Sequence, residues 1–163
     1  MGLDRVTPLV HQIINNYPYF YEIFFSTNFS YPEWNNNIKN FLNIFRQYPN
    51  RIFNITLQLS CDGPTYINDF GRGDGVTEKC LNNFNYLIDN IETILPTNVI
   101  LLLALKPTLS METIEQLNTK EKIIEYYKFF EDNFYIKSES KGYNNLKTNI
   151  SIPNLAVPIA GSY

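Results

Sequence analysis

A hydroxyl, a carboxylate and a guanidinium follow one apolar segment of this chain at short spacing. Residues 53–59 lead into Ser60-Cys61-Asp62-Gly63-Pro64, and Arg72 lies further along, after Asn68-Asp69. In parallel α/β proteins, ligands bind at the carboxyl ends of the strands, because the crevice lies there. A guanidinium and a hydroxyl are suited to binding a carboxylate. The spacing therefore predicts a site for a polar ligand at the end of this strand.

Apolar segments of strand length alternate with helical patterns along the chain. Strands are predicted over residues 21–28, 52–60 and 99–105. Apolar residues at helical spacing predict helices over 4–17, 34–45, 77–95 and 111–117, and a last helix whose buried face is Ile123, Ile124, Tyr127, Phe130 and Phe134. This alternation implies right-handed crossovers and a parallel sheet. Three such strands correspond to about half of a barrel.

The domain organisation follows from where this pattern ends. Residues 1–137 are predicted to form one α/β domain. From Ser138 onward the sequence is rich in Ser, Lys, Gly and Asn, so residues 138–163 are predicted to be an irregular linker or tail, in which one short strand is an option.

Composition excludes several classes of function. The chain has 163 residues, 44% of them hydrophobic, which is enough for one domain with a substantial core. A net charge of -3 gives no basic surface for phosphate-backbone binding, so nucleic acid is not expected as a partner. The longest apolar run, Val99–Leu105, is far shorter than the roughly 20 residues of a membrane-spanning helix. We therefore expect a cytoplasmic protein that has no membrane partner.

The motif at residues 60–72 also resembles a known family. A Ser-x-Asp-Gly-Pro sequence, an Asn-Asp pair and an Arg twelve positions after the Ser resemble the fourth-strand region of radical S-adenosylmethionine enzymes. The subgroup that modifies sulfatases and peptides is the most similar. Residues 22–28, which end in Ser-Thr-Asn, resemble the third strand of that family, and residues 98–107 resemble its fifth. The resemblance implies half of an open barrel of six βα units.

The resemblance also implies a set of cofactor-binding residues. Ser60 and Arg72 match positions that contact the carboxylate or ribose of S-adenosylmethionine. Thr27 and Asn28 would lie beside Ser60 and could line the same pocket, although without the cluster they would instead serve to satisfy backbone groups. Asp62 is placed with them, although an Asp before Gly-Pro in a turn also fits a purely structural role, in which it accepts backbone hydrogen bonds.

The cluster motif of the family, Cys-x3-Cys-x2-Cys, is absent. The chain contains only Cys61 and Cys80, so it is not expected to hold a four-iron cluster by itself. Both thiols are expected to be reduced, with Cys61 facing away from Ser60. Cys80 is the more reactive candidate, because a helix N-terminus lowers the pKa of a thiol, although a packed cysteine is the commoner case. Two further departures are Phe29, where the family has Gly, and Cys61, where it has Leu, Ile or Val.

Three readings of the function remain open at this level. The first is a partial radical S-adenosylmethionine core, catalytically incomplete as this chain, whose missing N-terminal half would hold the cluster. The second is a non-catalytic α/β binding or scaffold module. The third is one part of a split enzyme, with a partner chain that carries the cluster. A peptide or a small molecule would be the substrate. An open sheet edge is expected beside residues 21–28, which favours pairing with another chain.

Overall fold

The computed structural model describes residues 2–150 and 154–155, with side chains for 2–148. Its strands are β1 (Glu22–Thr27), β2 (Phe53–Leu59), β3 (Val99–Leu105), β4 (Thr108–Leu109), β5 (Leu146–Ile150) and β6 (Asn154–Leu155). Its α-helices are α1 (Leu3–Asn16), α2 (Trp34–Asn43), α3 (Thr65–Arg72), α4 (Val76–Asp89), α5 (Ile91–Ile94), α6 (Met111–Gln116), α7 (Lys120–Phe130) and α8 (Ile136–Glu139). A 3-10 turn, Ile44–Gln47, follows α2, and a π-helical turn, Glu131–Tyr135, joins α7 to α8.

Four parallel strands form the main sheet in the order β1-β2-β3-β5. The long strands are neighbours in chain order, with a helical connection between each strand and the next, as a progressive βα arrangement requires. The α/β class and the parallel sheet are confirmed, but the sheet has four strands rather than about three. The additional strand, β5, lies in the segment after residue 138. A separate two-stranded parallel sheet pairs β4 with β6.

The helix predicted over residues 77–95 is interrupted, and a helix precedes it. Residues 65–72 form α3, which ends where Gly73 and Gly75 adopt positive φ angles of 105° and 74°. That conformation is accessible to glycine, so the chain turns there and starts α4 in a new direction. At the other end, α4 stops before Asn90, and the short α5 follows.

One face of the sheet is covered by the helices. The odd-numbered residues of β2 and β3 are buried, and they belong to one apolar core with the buried residues of the helices. Two ring contacts show the packing: Phe41 of α2 lies 5.3 Å from Phe25 of β1, and Phe45 lies 4.9 Å from Phe53 of β2, between ring centroids. This helical layer holds the sheet and fixes the ends of its strands.

The opposite face of the sheet has no such layer among the described residues. Because strand side chains alternate, it is formed by the even-numbered residues of β1, β2 and β3 and by Lys147 of β5, which pairs with Leu102. These residues are half-buried or exposed, and none belongs to the buried core; they are Glu22, Phe24, Ser26, Asn54, Thr56, Gln58, Ile100, Leu102, Ala104 and Lys147. We call this surface the open face.

The last predicted helix is present, but its buried side differs from the prediction. Ile123, Ile124 and Tyr127 are exposed. The buried side is instead Tyr126, Phe130 and Phe134, which pack against one another through their rings. Within α7 itself the buried residues are Tyr126 and Phe130, and because apolar residues also lie on the adjacent face, helical periodicity predicted the helix without selecting the face that is buried.

None of the helices in the described part of the chain combines the length and the apolar composition needed to cross a membrane.

Candidate functional site

The carboxyl ends of β1, β2 and β3 meet at one edge of the sheet. The Ser60 N–H donates to the Thr27 carbonyl at 2.9 Å, and the Lys106 N–H donates to the Leu59 carbonyl at 3.1 Å. The parallel register therefore continues for one residue beyond each strand. It makes Asn28, Ser60 and Lys106 neighbours along this edge.

Ser60 and Lys106 continue the side of the sheet that forms the open face. Alternation places Ser60 on the same side as Gln58, and Lys106 on the same side as Ala104. The next residue in the β2 connection, Cys61, is fully buried against the helical layer, which agrees with this alternation. Ser60 is half-buried and Lys106 is exposed. This edge therefore presents a hydroxyl and an ammonium to the open face.

Thr27 and Asn28 both lie at this edge, but their side chains have different environments. Thr27 is buried on the helical side, and its Oγ1 accepts a hydrogen bond from the Phe29 N–H at 3.2 Å. Asn28 is half-buried, and its Oδ1 accepts from the Ser30 N–H at 3.2 Å. The Thr27 side chain therefore stabilises the turn after β1, while the Nδ2 donor of Asn28 belongs to the edge beside Ser60.

Phe29 occupies a backbone conformation that glycine favours. Its φ angle is 57°, in the left-handed region that is costly for most residues. Its ring is fully buried and lies 4.0 Å from the Trp34 ring, and its carbonyl accepts a hydrogen bond from the Asn83 amide. Burial of this ring offsets the backbone cost. The position where the resembled family has Gly thus keeps a glycine-like backbone in this chain.

Asp62 and Arg72 are bonded to each other. Arg72 donates from Nε to Asp62 Oδ2 at 2.6 Å and from Nη2 to Oδ1 at 2.9 Å. Asp62 Oδ1 also accepts from the Thr108 N–H at 2.8 Å. Asp62 is only 8% exposed. This two-point ion pair ties together the β2–α3 turn, the end of α3 and the start of β4, which is the structural role considered for Asp62.

A second polar network links the Asn68-Asp69 pair to the start of α4. Asn68 accepts from the Asp62 N–H at 2.8 Å and donates to Thr77 Oγ1 at 2.9 Å. The Asp69 carboxylate accepts from the N–H groups of Gly75 and Thr77 and from the Thr77 hydroxyl. Asp69 therefore caps α4 from outside that helix.

We expect the Asp69 cap to make the stability of the protein depend on acidity. Burial disfavours the charged carboxylate, but the hydrogen bonds from Thr77 and Gly75 outweigh it and lower the pKa of Asp69. Because the pKa is depressed in the folded state, the stabilisation is complete above the unfolded pKa of about 3.9 and is lost as the pH falls through the folded value. At neutral pH, Asp69→Ala is expected to lower the free energy of unfolding by about 1–2 kcal/mol, as for other helix caps.

Urea unfolding at a series of pH values measures this effect. The difference between the wild type and Asp69→Ala should shrink as the pH falls below about 3.9, where the unfolded state takes up the proton, and should reach its minimum below the lower pKa of the folded state. Asp74→Ala, which changes an exposed carboxylate in the same loop, serves as the matched control and should show no such convergence. A pH-independent loss in Asp69→Ala would contradict the assignment of the cap.

Tyr126 of α7 closes the β2–α3 turn from the helical side. A Cβ atom on Gly63 would lie 2.6 Å from Cε2 of the Tyr126 ring, and Gly63 has a φ angle of 141°. The Tyr126 hydroxyl is buried without a hydrogen-bond partner. Burial, together with the nearby Asp62 carboxylate, raises the pKa of Tyr126. Glycine is therefore required at residue 63 both for the backbone and for the space.

The two cysteines come together in the helical layer. Cys61 and Cys80 are free thiols, and both are almost completely buried. A hydrogen bond with Cys61 and burial raise the pKa of the Cys80 thiol well above its usual range. Of the two interpretations of Cys80, the packed cysteine fits the structure, because the neighbouring thiol and burial outweigh the helix N-terminus that would lower the pKa of Cys80.

This chain does not supply the cysteine ligands that a four-iron cluster requires. The whole sequence has two cysteines, and both point into the apolar core. Within residues 2–150 and 154–155, no group of three or more His, Cys, Asp or Glu side chains is arranged to hold a metal ion.

Sequence reasoning missed Lys106 as a site residue. The signal was present, because Lys106 follows the strand Val99–Leu105 directly, just as Ser60 follows β2. Gln58 was also missed. A polar residue inside an apolar strand can be recognised as a site residue only when one face of the sheet is known to be open.

A scan against protein-family models gave no match to this chain, and searches of curated proteins and of solved structures gave no significant match.

Proposed function

We propose that this chain binds S-adenosylmethionine, or a similar ligand that bears a carboxylate, on the open face at the carboxyl ends of β1, β2 and β3. The observation that carries this proposal is the hydroxyl of Ser60 and the ammonium of Lys106 on neighbouring positions of that edge. A charge-assisted contact from Lys106 and a hydrogen bond from Ser60 suit a carboxylate. The Asn28 amide adds a neutral donor at the next position.

The fold supports a half-barrel arrangement for this site. The long strands follow one another in sequential order, and the helices of the described residues pack on one side of them. In closed parallel barrels the helices surround the strands, and the active site lies at the carboxyl ends. The open face would correspond to the interior of such a barrel, and the edge at Ser60 to its mouth.

The cationic side chain that contacts the ligand carboxylate differs from the one that the family resemblance implied. There Arg72 was expected to reach the carboxylate, but two of its nitrogen atoms are bonded to Asp62. We therefore assign the contact with the ligand carboxylate to Lys106. Arg72 instead stabilises the turn that follows Ser60, through its bonds to Asp62.

Radical chemistry is not part of the proposal for the isolated chain, because the cysteines do not fit a cluster. A split enzyme would need a second chain with the Cys-x3-Cys-x2-Cys motif. Under that reading, iron should be present only after expression together with such a partner, and binding of S-adenosylmethionine by the isolated chain would be weaker than by the assembly.

Isothermal titration calorimetry with S-adenosylmethionine tests the proposed function. We expect saturable binding, and a loss of about 10- to 100-fold in affinity for Lys106→Met, because a hydrogen bond to a charged group contributes about 1.5–3 kcal/mol. Ser60→Ala should lose about tenfold or less. Lys39→Met, which changes an exposed lysine on α2 in the helical layer, is the matched control and should bind like the wild type.

A non-catalytic scaffold module is the second candidate, and one observation favours it. The conspicuous charged residues of the motif, Asp62 and Arg72, satisfy each other and a backbone N–H. This candidate predicts that titration with S-adenosylmethionine gives no heat of binding. A different outcome, equal affinity for Lys106→Met and the wild type, would show that the ligand binds at another site.

A further inference from the structure

A cleft opens in the helical layer, between the loop that follows β1 and the helices α2 and α4. Its volume is about 600 Å³, which lies within the range of ligand pockets in proteins. Much of its lining is polar and uncharged, with four amide side chains: Asn35, Asn36, Asn82 and Asn83. We call it the amide cleft. It belongs to the helical layer, whereas Ser60 and Lys106 belong to the open face.

The loop that forms one wall of the amide cleft has an unusual backbone. Phe29 and Glu33 are the non-glycine residues of the described part of the chain that have positive φ angles, 57° and 56°. Such residues are costly, persist where their surroundings hold them, and cluster at ligand sites. The N–H groups of Asn36 and Asn37 donate to the Glu33 carbonyl at 3.1 and 3.0 Å. The loop is therefore held against the first turn of α2 without a ligand.

Trp34 lines the amide cleft and carries a donor that no other described residue satisfies. The side chain is only 2% exposed, and its Nε1 is buried without a hydrogen-bond partner. A buried indole N–H normally has a partner, because an unsatisfied donor is costly. A ligand atom that accepts this hydrogen bond would remove the cost.

The amides of the cleft offer donors and acceptors together. Asn83 donates from Nδ2 to the Phe29 carbonyl, which fixes this side chain at the wall of the cleft. Asn35, Asn36 and Asn82 are exposed. Each amide carries an NH₂ group beside a carbonyl, and each hydroxyl of a sugar can both donate and accept. An amide can therefore bond to two adjacent hydroxyls at once.

We propose that the amide cleft binds a neutral polyhydroxylated ligand of about the size of a disaccharide. The charged groups of the lining are Glu33 and Lys79, which have opposite signs, so a charged ligand would meet a like charge. The Tyr31 ring, 36% exposed, gives a flat apolar surface for the C–H face of a sugar ring. The unsatisfied Nε1 of Trp34 donates to one of the ligand hydroxyls.

Fluorescence titration tests the proposal on the full chain, because Trp34 is the single tryptophan of the sequence. The probes are maltose, cellobiose and diacetylchitobiose, and we expect a saturable change in the emission for at least one of them. Asn36→Ala and Asn82→Ala should each raise its dissociation constant about 2- to 10-fold, as expected for one lost hydrogen bond. Asn40→Ala, an exposed amide of α2 outside the cleft, is the matched control and should bind like the wild type.

Backbone amide shifts in a nuclear magnetic resonance titration with the same sugars give a second readout. They should cluster at residues 30–36 and 79–83. The absence of a saturable response to all three sugars would overturn the proposal, and so would an affinity that Asn36→Ala and Asn82→Ala leave unchanged. Binding of inorganic phosphate in place of the sugars would overturn the assignment of a neutral ligand.

The inference goes beyond the proposed function, and the two can fail separately. Lys106→Met should weaken the binding of S-adenosylmethionine and leave the response to the sugars unchanged, because Lys106 does not line the amide cleft. A sugar response that is lost in Lys106→Met would place the sugar at the other site and overturn the inference.

Discussion

Replacing Gly63 with alanine is expected to lower the free energy of unfolding by about 2–6 kcal/mol. The φ angle of 141° is strained for any residue with a Cβ, at a cost of about 1–3 kcal/mol. The added methyl group would also overlap the buried Tyr126 ring, and overpacking of this kind costs about 1–3 kcal/mol more. Urea unfolding followed by circular dichroism measures the change.

Gly71→Ala is the matched control for this substitution. Gly71 lies within α3, and a Cβ there would meet no atom within 4 Å. Alanine has the higher helix propensity, so the control should be neutral or more stable by up to about 1 kcal/mol. Equal unfolding midpoints for Gly63→Ala and the wild type would show that the turn does not have the described conformation.

Asp62→Ala should cause a loss of similar size, about 2–4 kcal/mol. The substitution removes both acceptors of Arg72 and leaves the Thr108 N–H without its partner, and a broken, largely buried ion pair is strongly destabilising. Arg72→Ala should cost less, because Asp62 would keep the Thr108 hydrogen bond. The double variant should lose less than the sum of the two single losses, by about 1–3 kcal/mol.

A double-mutant cycle measured by urea unfolding quantifies this coupling. The surface pair of Lys141 and Asp89, 3.3 Å apart and well exposed, is the matched control. Exposed pairs of this kind contribute about 1 kcal/mol or less, so the control cycle should show little coupling. Strictly additive losses for Asp62→Ala and Arg72→Ala would contradict the structural role of this pair.

The strand positions could be predicted from the sequence because their composition is decisive. The predicted strands at 21–28, 52–60 and 99–105 contain β1, β2 and β3, whose apolar residues fill a sheet that is buried on one side. The polar motif at residues 60–64 was placed correctly at a strand end, since turn residues stop an apolar run for local reasons. These features depend on short segments of sequence.

Other features depend on contacts between distant segments and could not be predicted. The open face of the sheet depends on where the helices pack. The sequence of a strand that contains Thr56 and Gln58 does not show whether that face is open or covered. The pairing of Asp62 with Arg72 required the length of α3 to be known. The proximity of Cys61 and Cys80 likewise arises from the packing of α4 against the β2 connection.

Nuclear magnetic resonance titration of the isotope-labelled chain with S-adenosylmethionine tests the central claim most directly. The claim is that the ligand binds on the open face at the carboxyl ends of the strands. It predicts that the largest backbone amide shifts cluster at Asn28, Ser60 and Lys106, with smaller shifts at Gln58. Absence of shifts, or shifts confined to the helical layer, would contradict the account.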